Sequence, residues 1–249
     1  MSDKTAIEWT DATWNPVTGC SKVSAGCQHC YAETLAKRFE GDAFRPWVAK
    51  WAARNVVLHP NRLPMPLHWR TPRRVFVNSV SDLFHDQVPD AFVDRVFAVM
   101  AQAPQHQFQV LTKRPERMRA YITQSCTGVS APGPMPHVWL GTSVEQQRWV
   151  APRVGALAAT PAAVRFLSCE PLLGPLDVSA YLATGRIHWV IVGGESGAGA
   201  RPVDPAWVRA LRDQCVACGV PFFFKQWGGV ARARAGRELD GRTWDEWPA

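Results

Sequence analysis

The sequence is most constrained by a series of short apolar segments, each of which ends in polar residues. These segments are rich in β-branched, aromatic and leucine residues, which is typical of strands buried on both faces of a parallel sheet. A further strand is expected ahead of them, within residues 7–14. The six segments lie at residues 74–79, 108–113, 138–143, 165–170, 189–195 and 221–226.

Helical patterns alternate with these segments. Apolar residues recur at helical spacing in residues 89–100, 148–159 and 206–215, and strand and helix alternate at a spacing of roughly 25–35 residues. We therefore expect the α/β class, as a full or partial (β/α) barrel of parallel strands, although an open doubly wound sheet shows the same alternation. The 249 residues fit a single domain, with an irregular proline-rich connection near residues 55–72 and a flexible tail from about residue 231.

Polar residues gather where the predicted strands end. In a barrel of alternating strands and helices this end is the catalytic face. Capping of the following helix is the alternative explanation for any one of them, but six successive cases favour a functional face. Lys225 follows three phenylalanines and is expected to project into the barrel mouth, where it pairs with Glu170 or Glu195, donates a proton, or forms a structural ion pair. The polar residues are Asn78, Ser79, Thr112, Lys113, Ser143, Ser168, Glu170, Glu195, Lys225 and Gln226.

Three cysteines lie within eleven residues near the start of the chain, with the spacing C-x6-C-x2-C: Cys20, Cys27 and Cys30. Three thiolates can converge on one metal centre and leave a coordination position free for chemistry. The cysteine loop lies between a predicted strand and a helix-like run, residues 31–39, which places it at the barrel mouth. This context favours an iron–sulfur cluster over zinc, which needs a fourth ligand such as His29, Cys215 or Cys218.

The net charge of the chain bears on which partners it could bind. The net charge is +7 and the pI about 9.3, which suits a nucleic acid or an acidic electron-donor protein, but also a basic enzyme with neither. Most of the twelve tryptophans are expected in the core. Lys113, Arg114, Arg117 and Arg201 follow strand ends and are expected either to bind phosphates or to face solvent. No long apolar run and no signal-peptide pattern is present, so a cytoplasmic protein without a membrane span is expected.

Several segments resemble the phage Gp37/Gp68 family, which is also called a three-Cys-motif family. Three cysteines after the first strand of a barrel also resemble the radical S-adenosylmethionine (SAM) enzymes. The segments that carry the first resemblance are residues 14–20, 81–85, 111–118, 169–175, 193–197 and 222–228.

The resemblance implies a TIM-barrel-like enzyme. Cys20, Cys27 and Cys30 would hold a [4Fe–4S] cluster, whose fourth iron binds SAM; an electron from the cluster cleaves SAM, and the resulting 5′-deoxyadenosyl radical abstracts a hydrogen atom from the substrate. Flavodoxin or ferredoxin would supply the electron. Catalytic roles are expected for Glu170, Glu195 and Lys225. Cofactor contacts are expected from Asn78, Ser79, Ser81, Asp82, Thr112, Ser143, Glu145, Gly193 and Gly194.

The expected substrate is a nucleotide or a nucleic acid base of phage or bacterial origin. Two other functions remain open at the level of sequence. One is a non-catalytic, metal-stabilised phage protein that binds nucleic acid, and the other is a nuclease or glycosylase with a structural cluster. The oligomeric state is not predicted.

Overall fold

The fold is built on one parallel sheet of seven strands. A computed structural model describes residues 5–127, 134–230 and 235–248. Within them the strands of this sheet lie side by side in chain order and form a half-barrel. This arrangement confirms the predicted α/β class with parallel strands. The strands are β1 (Ala12–Trp14), β4 (Arg74–Val77), β5 (Gln107–Thr112), β6 (Val138–Ser143), β7 (Val164–Cys169), β8 (Trp189–Gly193) and β9 (Phe222–Gln226).

Two small antiparallel pairs complete the strands: β2 (Val17–Thr18) with β3 (Val57–Leu58), and β10 (Glu238–Leu239) with β11 (Arg242–Thr243). The helices connect the strands of the large sheet, and short 3-10 turns fill much of the connection before β4. No helix in the described part of the chain is long and apolar enough to cross a membrane. The helices are α1 (Tyr31–Glu40), α2 (Ala52–Asn55), α3 (Asp90–Gln102), α4 (Pro115–Thr127), α5 (Gly155–Ala158), α6 (Ser179–Leu182) and α7 (Pro205–Ala217).

The helix predicted at residues 148–159 is broken into three parts. A 3-10 turn at Gln147–Trp149 leads into a π-helical turn at Val150–Val154, and only Gly155–Ala158 is α-helical. Pro152 lies inside the π turn, and because proline has no backbone N–H it removes one helical hydrogen bond there.

The sheet has an apolar core on each face because successive side chains along a strand point to opposite sides. The outer face packs beneath the helices and carries most of the buried aliphatic residues. The inner face of the half-barrel is filled by aromatic rings, and Gly141 of β6 leaves room for the Phe166 ring. The inner core consists of Trp9, Phe76, Trp139, Phe166, Trp189, Ile191 and Phe223.

The end of the chain packs against the free edge of the sheet beside β9. Phe223 bridges Asp245 in antiparallel fashion. The ring of Trp247 lies 4.6 Å from that of Trp189, and the guanidinium of Arg74 lies 4.1 Å from the Trp247 ring centre. Of the tail that was predicted to be flexible, residues 231–234 lie outside the described residues. In residues 235–248, Leu239 and Trp244 pack on the outer core and Trp247 packs on the inner aromatic core.

We predict that Gly141→Ala destabilises the fold by about 1–3 kcal/mol. A Cβ atom at this position would lie 2.4 Å from Cζ of Phe166, a fully buried ring that would have to shift to make room for it. Urea unfolding followed by circular dichroism measures the loss. Gly174→Ala is the matched control, because no atom lies within 4 Å of its added Cβ. Equal stability of the two variants would contradict this account of the inner core.

Candidate active site

A cavity of about 590 Å³ lies between the cysteine loop and the carboxyl ends of the strands. Its floor is apolar and formed by Ile7, Trp9, Phe76 and Leu111. All the predicted site residues except Glu145 and Gly193 line this one cavity. They are Cys20, Cys27, Cys30, Asn78, Ser79, Ser81, Asp82, Thr112, Ser143, Glu170, Gly194, Glu195 and Lys225.

Glu145 and Gly193 lie behind the cavity wall. Glu145 is fully buried and pairs with Arg153, whose Nη1 donates to Oε2 at 2.8 Å. A Cβ atom on Gly26 would lie 3.1 Å from Cδ of Glu145, so the carboxylate lies directly beneath the cysteine loop. Gly193 ends β8, and its missing side chain leaves space for Glu170. Both residues therefore support the site without lining it.

The cysteine loop starts at Gly19, a position that requires glycine. Its φ of +81° is in the left-handed region, and a Cβ atom there would lie 1.8 Å from the carbonyl oxygen of Asn55. The loop then makes one 3-10 turn at Ala25–Cys27, and Cys30 precedes the first residue of α1.

The three cysteines are free thiols that face one cavity. Burial raises the pKa of Cys20 to about 12, and the negative charge of Asp82 adds to the effect. Burial also raises the pKa of Cys30. Among the described residues, no group of three or more Cys, His, Asp or Glu side chains is arranged to hold a metal ion in this conformation.

Arg114 fastens the start of the cysteine loop to the sheet. Its Nη1 donates to Oδ2 of Asp82 at 3.0 Å and to Sγ of Cys20 at 3.7 Å. Its Nη2 donates to both oxygens of Ser21 at 3.1 Å. Asp82 also accepts from the Thr112 hydroxyl at 2.7 Å, so one carboxylate joins the loop, the guanidinium and the end of β5.

Arg201 holds the middle of the same loop. Its Nη2 donates to the carbonyl oxygen of Ala25 at 2.9 Å, and its Nη1 donates to Oε1 of Gln28 at 3.3 Å. The guanidinium also makes two bonds to Glu195, at 2.8 and 2.5 Å. Burial alone would raise the pKa of Glu195, but the hydrogen bonds from Arg201 outweigh it and hold this pKa below its usual value.

Sequence reasoning missed the role of these two arginines. Arg114 and Arg201 were expected either to bind phosphates or to face solvent, and both instead form ion pairs that position the loop. Arg117, the third arginine of that set, pairs with Asp90 at 2.7 Å. The one signal in the sequence is that each pairing arginine follows a strand end, where carboxylates also gather.

Lys225 and Glu170 form an ion pair on the cavity wall. Nζ of Lys225 lies 2.7 Å from Oε1 of Glu170, and the two side chains are 11% and 19% exposed. Gln226 donates to Oε1 of Glu170 at 3.4 Å and to the Ser196 hydroxyl at 2.7 Å. Of the two carboxylates that were considered as partners of Lys225, the structure pairs it with Glu170.

A second group of cysteines lies on the other side of the sheet. Cys169 and Cys215 are fully buried in the outer core, and Cys218 follows the last residue of α7. Burial raises the pKa of Cys169 to about 12 and raises that of Cys215 as well. Because the thiolate is the reactive form, a raised pKa makes Cys169 and Cys215 unreactive residues that serve in packing. The side chain of Cys126 lies outside the described residues.

Comparison with known protein families places this chain in one of them. A family model described as "Protein of unknown function (DUF5131)" matches residues 4–248. The chain belongs to the DUF5131 family. No curated protein and no solved structure matches the sequence. The match covers the half-barrel, the cysteine loop and both arginine contacts, so the whole candidate site lies within the DUF5131 region.

We predict that Arg201→Gln loosens the middle of the cysteine loop. Losing the bonds to Ala25 and Glu195 should make the Cys27 and Gln28 amides exchange about tenfold faster, which corresponds to about 1.4 kcal/mol of local opening. Hydrogen exchange with mass spectrometry measures this rate. Arg209→Gln is the matched control, because Arg209 pairs with Asp240 on the exposed surface. Unchanged exchange in Arg201→Gln would show that the contact does not hold the loop.

Proposed function

We propose that this protein is a radical SAM-like iron–sulfur enzyme on a TIM-barrel-like partial barrel. One observation carries the proposal: three free thiols and the Lys225–Glu170 pair face the same cavity at the carboxyl ends of consecutive parallel strands. Catalytic groups of barrel enzymes gather at this end of the strands. The cavity volume lies within the usual range for cofactor and substrate sites.

The residues present fit a thiolate-held cluster in ligand type. Cys20, Cys27 and Cys30 would be its ligands, and three thiolates leave one iron open for SAM. Burial and the charge of Asp82 raise the pKa of Cys20, and the contact from Arg114 acts against that rise, in favour of the thiolate that binding requires. Metal binding draws its ligands together and releases their protons, so loading should bring the three sulfur atoms closer than they are in this conformation.

When bound, the cluster and SAM supply the electron transfer that starts radical chemistry on the substrate. The chain's own residues set the conditions for that step. The rings of Trp9 and Phe76 and the side chain of Leu111 make an apolar floor that excludes water from one side of the cavity. Lys225 holds an ammonium against Glu170, where it can orient a substrate or exchange a proton with it.

Most of the remaining cavity residues give the cofactor its contacts in this proposal. Asn78, Ser79, Ser81, Asp82 and Thr112 lie beside the cysteine loop, and Gly194 lies further round the wall. Ser143, which was expected to contact the cofactor, lines the same cavity and is left to the substrate. Glu195 acts through Arg201 as a positioning residue, because their ion pair joins the loop to β8. A nucleotide or nucleic acid base is the proposed substrate class, supported by the net charge of +7. A flavodoxin or ferredoxin is the proposed electron donor, and the cytoplasm is the proposed location.

We predict that Cys20→Ala, Cys27→Ala and Cys30→Ala each prevent assembly of a full four-iron cluster. Iron and sulfide are measured after anaerobic reconstitution. Cys218→Ala is the control, because Cys218 lies at the end of α7 and does not line the cavity. A full iron complement in all three variants would rule out the cluster. A colourless protein that holds one zinc would favour the metal-stabilised binding protein instead.

We also predict that the reconstituted, dithionite-reduced protein cleaves SAM slowly without substrate and releases 5′-deoxyadenosine. Chromatography of the reaction separates this product from methylthioadenosine and homocysteine. Release of either of these instead would indicate a different chemistry. No turnover in a sample with four irons per chain would argue against the radical reaction while leaving the cluster in place.

A further inference from the structure

The cavity contains one cationic side chain without a carboxylate partner among the described residues. Four lysine or arginine side chains line the cavity. Three are paired: Lys22 with Glu33, Arg114 with Asp82 and Lys225 with Glu170. Within the described part of the chain, Lys113 has no ion pair and makes one hydrogen bond, from its backbone N–H to Asp82. Its ammonium is therefore available to a ligand.

Strand register brings two hydroxyls beside Lys113. Thr112 pairs with Thr142, and Ser143, the next residue, pairs with Ser168. Lys113, Ser143 and Ser168 therefore lie at one level on three adjacent strands, and all three line the cavity. The two serines are 2% exposed, and only their backbone groups form hydrogen bonds with described residues. Their hydroxyls are therefore donors that no acceptor of residues 5–127, 134–230 or 235–248 satisfies.

We propose that Lys113, Ser143 and Ser168 form a subsite for an anionic oxygen group of the substrate, either phosphate or carboxylate. All three side chains offer N–H or O–H donors, and none of these side-chain donors is matched by a protein acceptor in the described part of the chain. An oxyanion satisfies several such donors at once, and its bonds to a charged donor are stronger than neutral ones. The inference rests on the proposed function only in taking this cavity as the substrate site.

A role for Lys113 as the counter-ion of the cysteines is the main competing explanation. Lys113 lies close enough to Cys30 for its charge to favour the thiolate. Direct contact with a cysteine sulfur is, however, made by Arg114, which donates to Cys20. Ser143 and Ser168 lie on the next two strands of the sheet, on the side of Lys113 away from Asn78. A counter-ion for the cysteines would act through its charge alone and would not need these hydroxyls beside it.

The subsite is tested with the full-length protein and inorganic phosphate or acetate as probes. Calorimetric titration at constant ionic strength should give saturable binding of at least one probe. Lys113→Gln should weaken that binding by about tenfold or more, as expected for a lost charged hydrogen bond. Ser168→Ala should weaken it by a smaller factor. Lys37→Gln is the matched control, because Lys37 is exposed on α1 and does not line the cavity.

Three results would overturn the subsite: no binding of either probe, equal binding by Lys113→Gln and the wild type, or loss of iron from Lys113→Gln after reconstitution. Competition between the probe and SAM, together with weaker SAM binding by Lys113→Gln, would assign the donors to SAM and also reject a substrate subsite. The proposed function fails separately. A protein that binds no iron and cleaves no SAM, yet binds the probe through Lys113, would retain the subsite and lose the radical chemistry.

Discussion

The position of the cysteine loop depends on one buried carboxylate. Asp82 lies in the loop after β4. Its carboxylate accepts hydrogen bonds from the hydroxyl of Thr112, the last residue of β5, from the backbone N–H of Lys113, which follows it, and from the Arg114 guanidinium. Arg114 also donates to the carbonyl oxygen of Ser21, so its guanidinium links Asp82 to the cysteine loop. Burying such a pair costs desolvation, and the many hydrogen bonds on both partners offset that cost. Removing one partner of a buried pair typically costs about 3–5 kcal/mol, because the other charge is left unmatched. The strand ends and the cysteine loop therefore cannot shift independently of each other.

The side chains on the inner face of the half-barrel change from large and aromatic to small and polar along the strands, and this change creates the cavity. Toward the amino-terminal ends of the strands, rings such as those of Trp189 and Phe223 fill the interior. At the level of Ser143 and Ser168 the inward side chains become small and polar, so the interior is no longer filled. Ion pairs that lie just above an apolar floor are less screened by water than surface pairs. The Lys225–Glu170 contact is of this kind, because both of its side chains are mostly buried although they line a cavity.

The parts of the fold that could be predicted are those whose signal lies within a short stretch of sequence. Residues 138–143 were predicted as a strand and form β6 with the same bounds, because burial on both faces produces a continuous apolar run. The cysteine loop and the polar strand ends could also be located. The partners of Arg114 and Arg201 could not be predicted, because these contacts depend on which strand ends and loops lie next to each other in the fold. Glu145 was expected to contact the cofactor, but its burial against Arg153 depends on the irregular turn around Pro152, which the periodicity of the sequence does not encode.

The backbone contacts of the cysteine loop limit how a cluster can assemble in it. Cys20 is held through Arg114, the Cys27 N–H donates to the carbonyl oxygen of Ser24 at 3.0 Å, and the Cys30 carbonyl oxygen accepts from the Thr34 N–H at 3.1 Å. Arg201 fixes the Ala25 carbonyl between them. With the main chain fastened at these points, the sulfur atoms approach one another mainly by rotation about their Cα–Cβ bonds, which interconverts staggered rotamers without refolding the loop. The loop should therefore keep its backbone contacts with or without the proposed cluster, unlike zinc domains that unfold without metal. The two arginine ion pairs hold the loop in place of a structural metal, which would leave the proposed cluster free for chemistry.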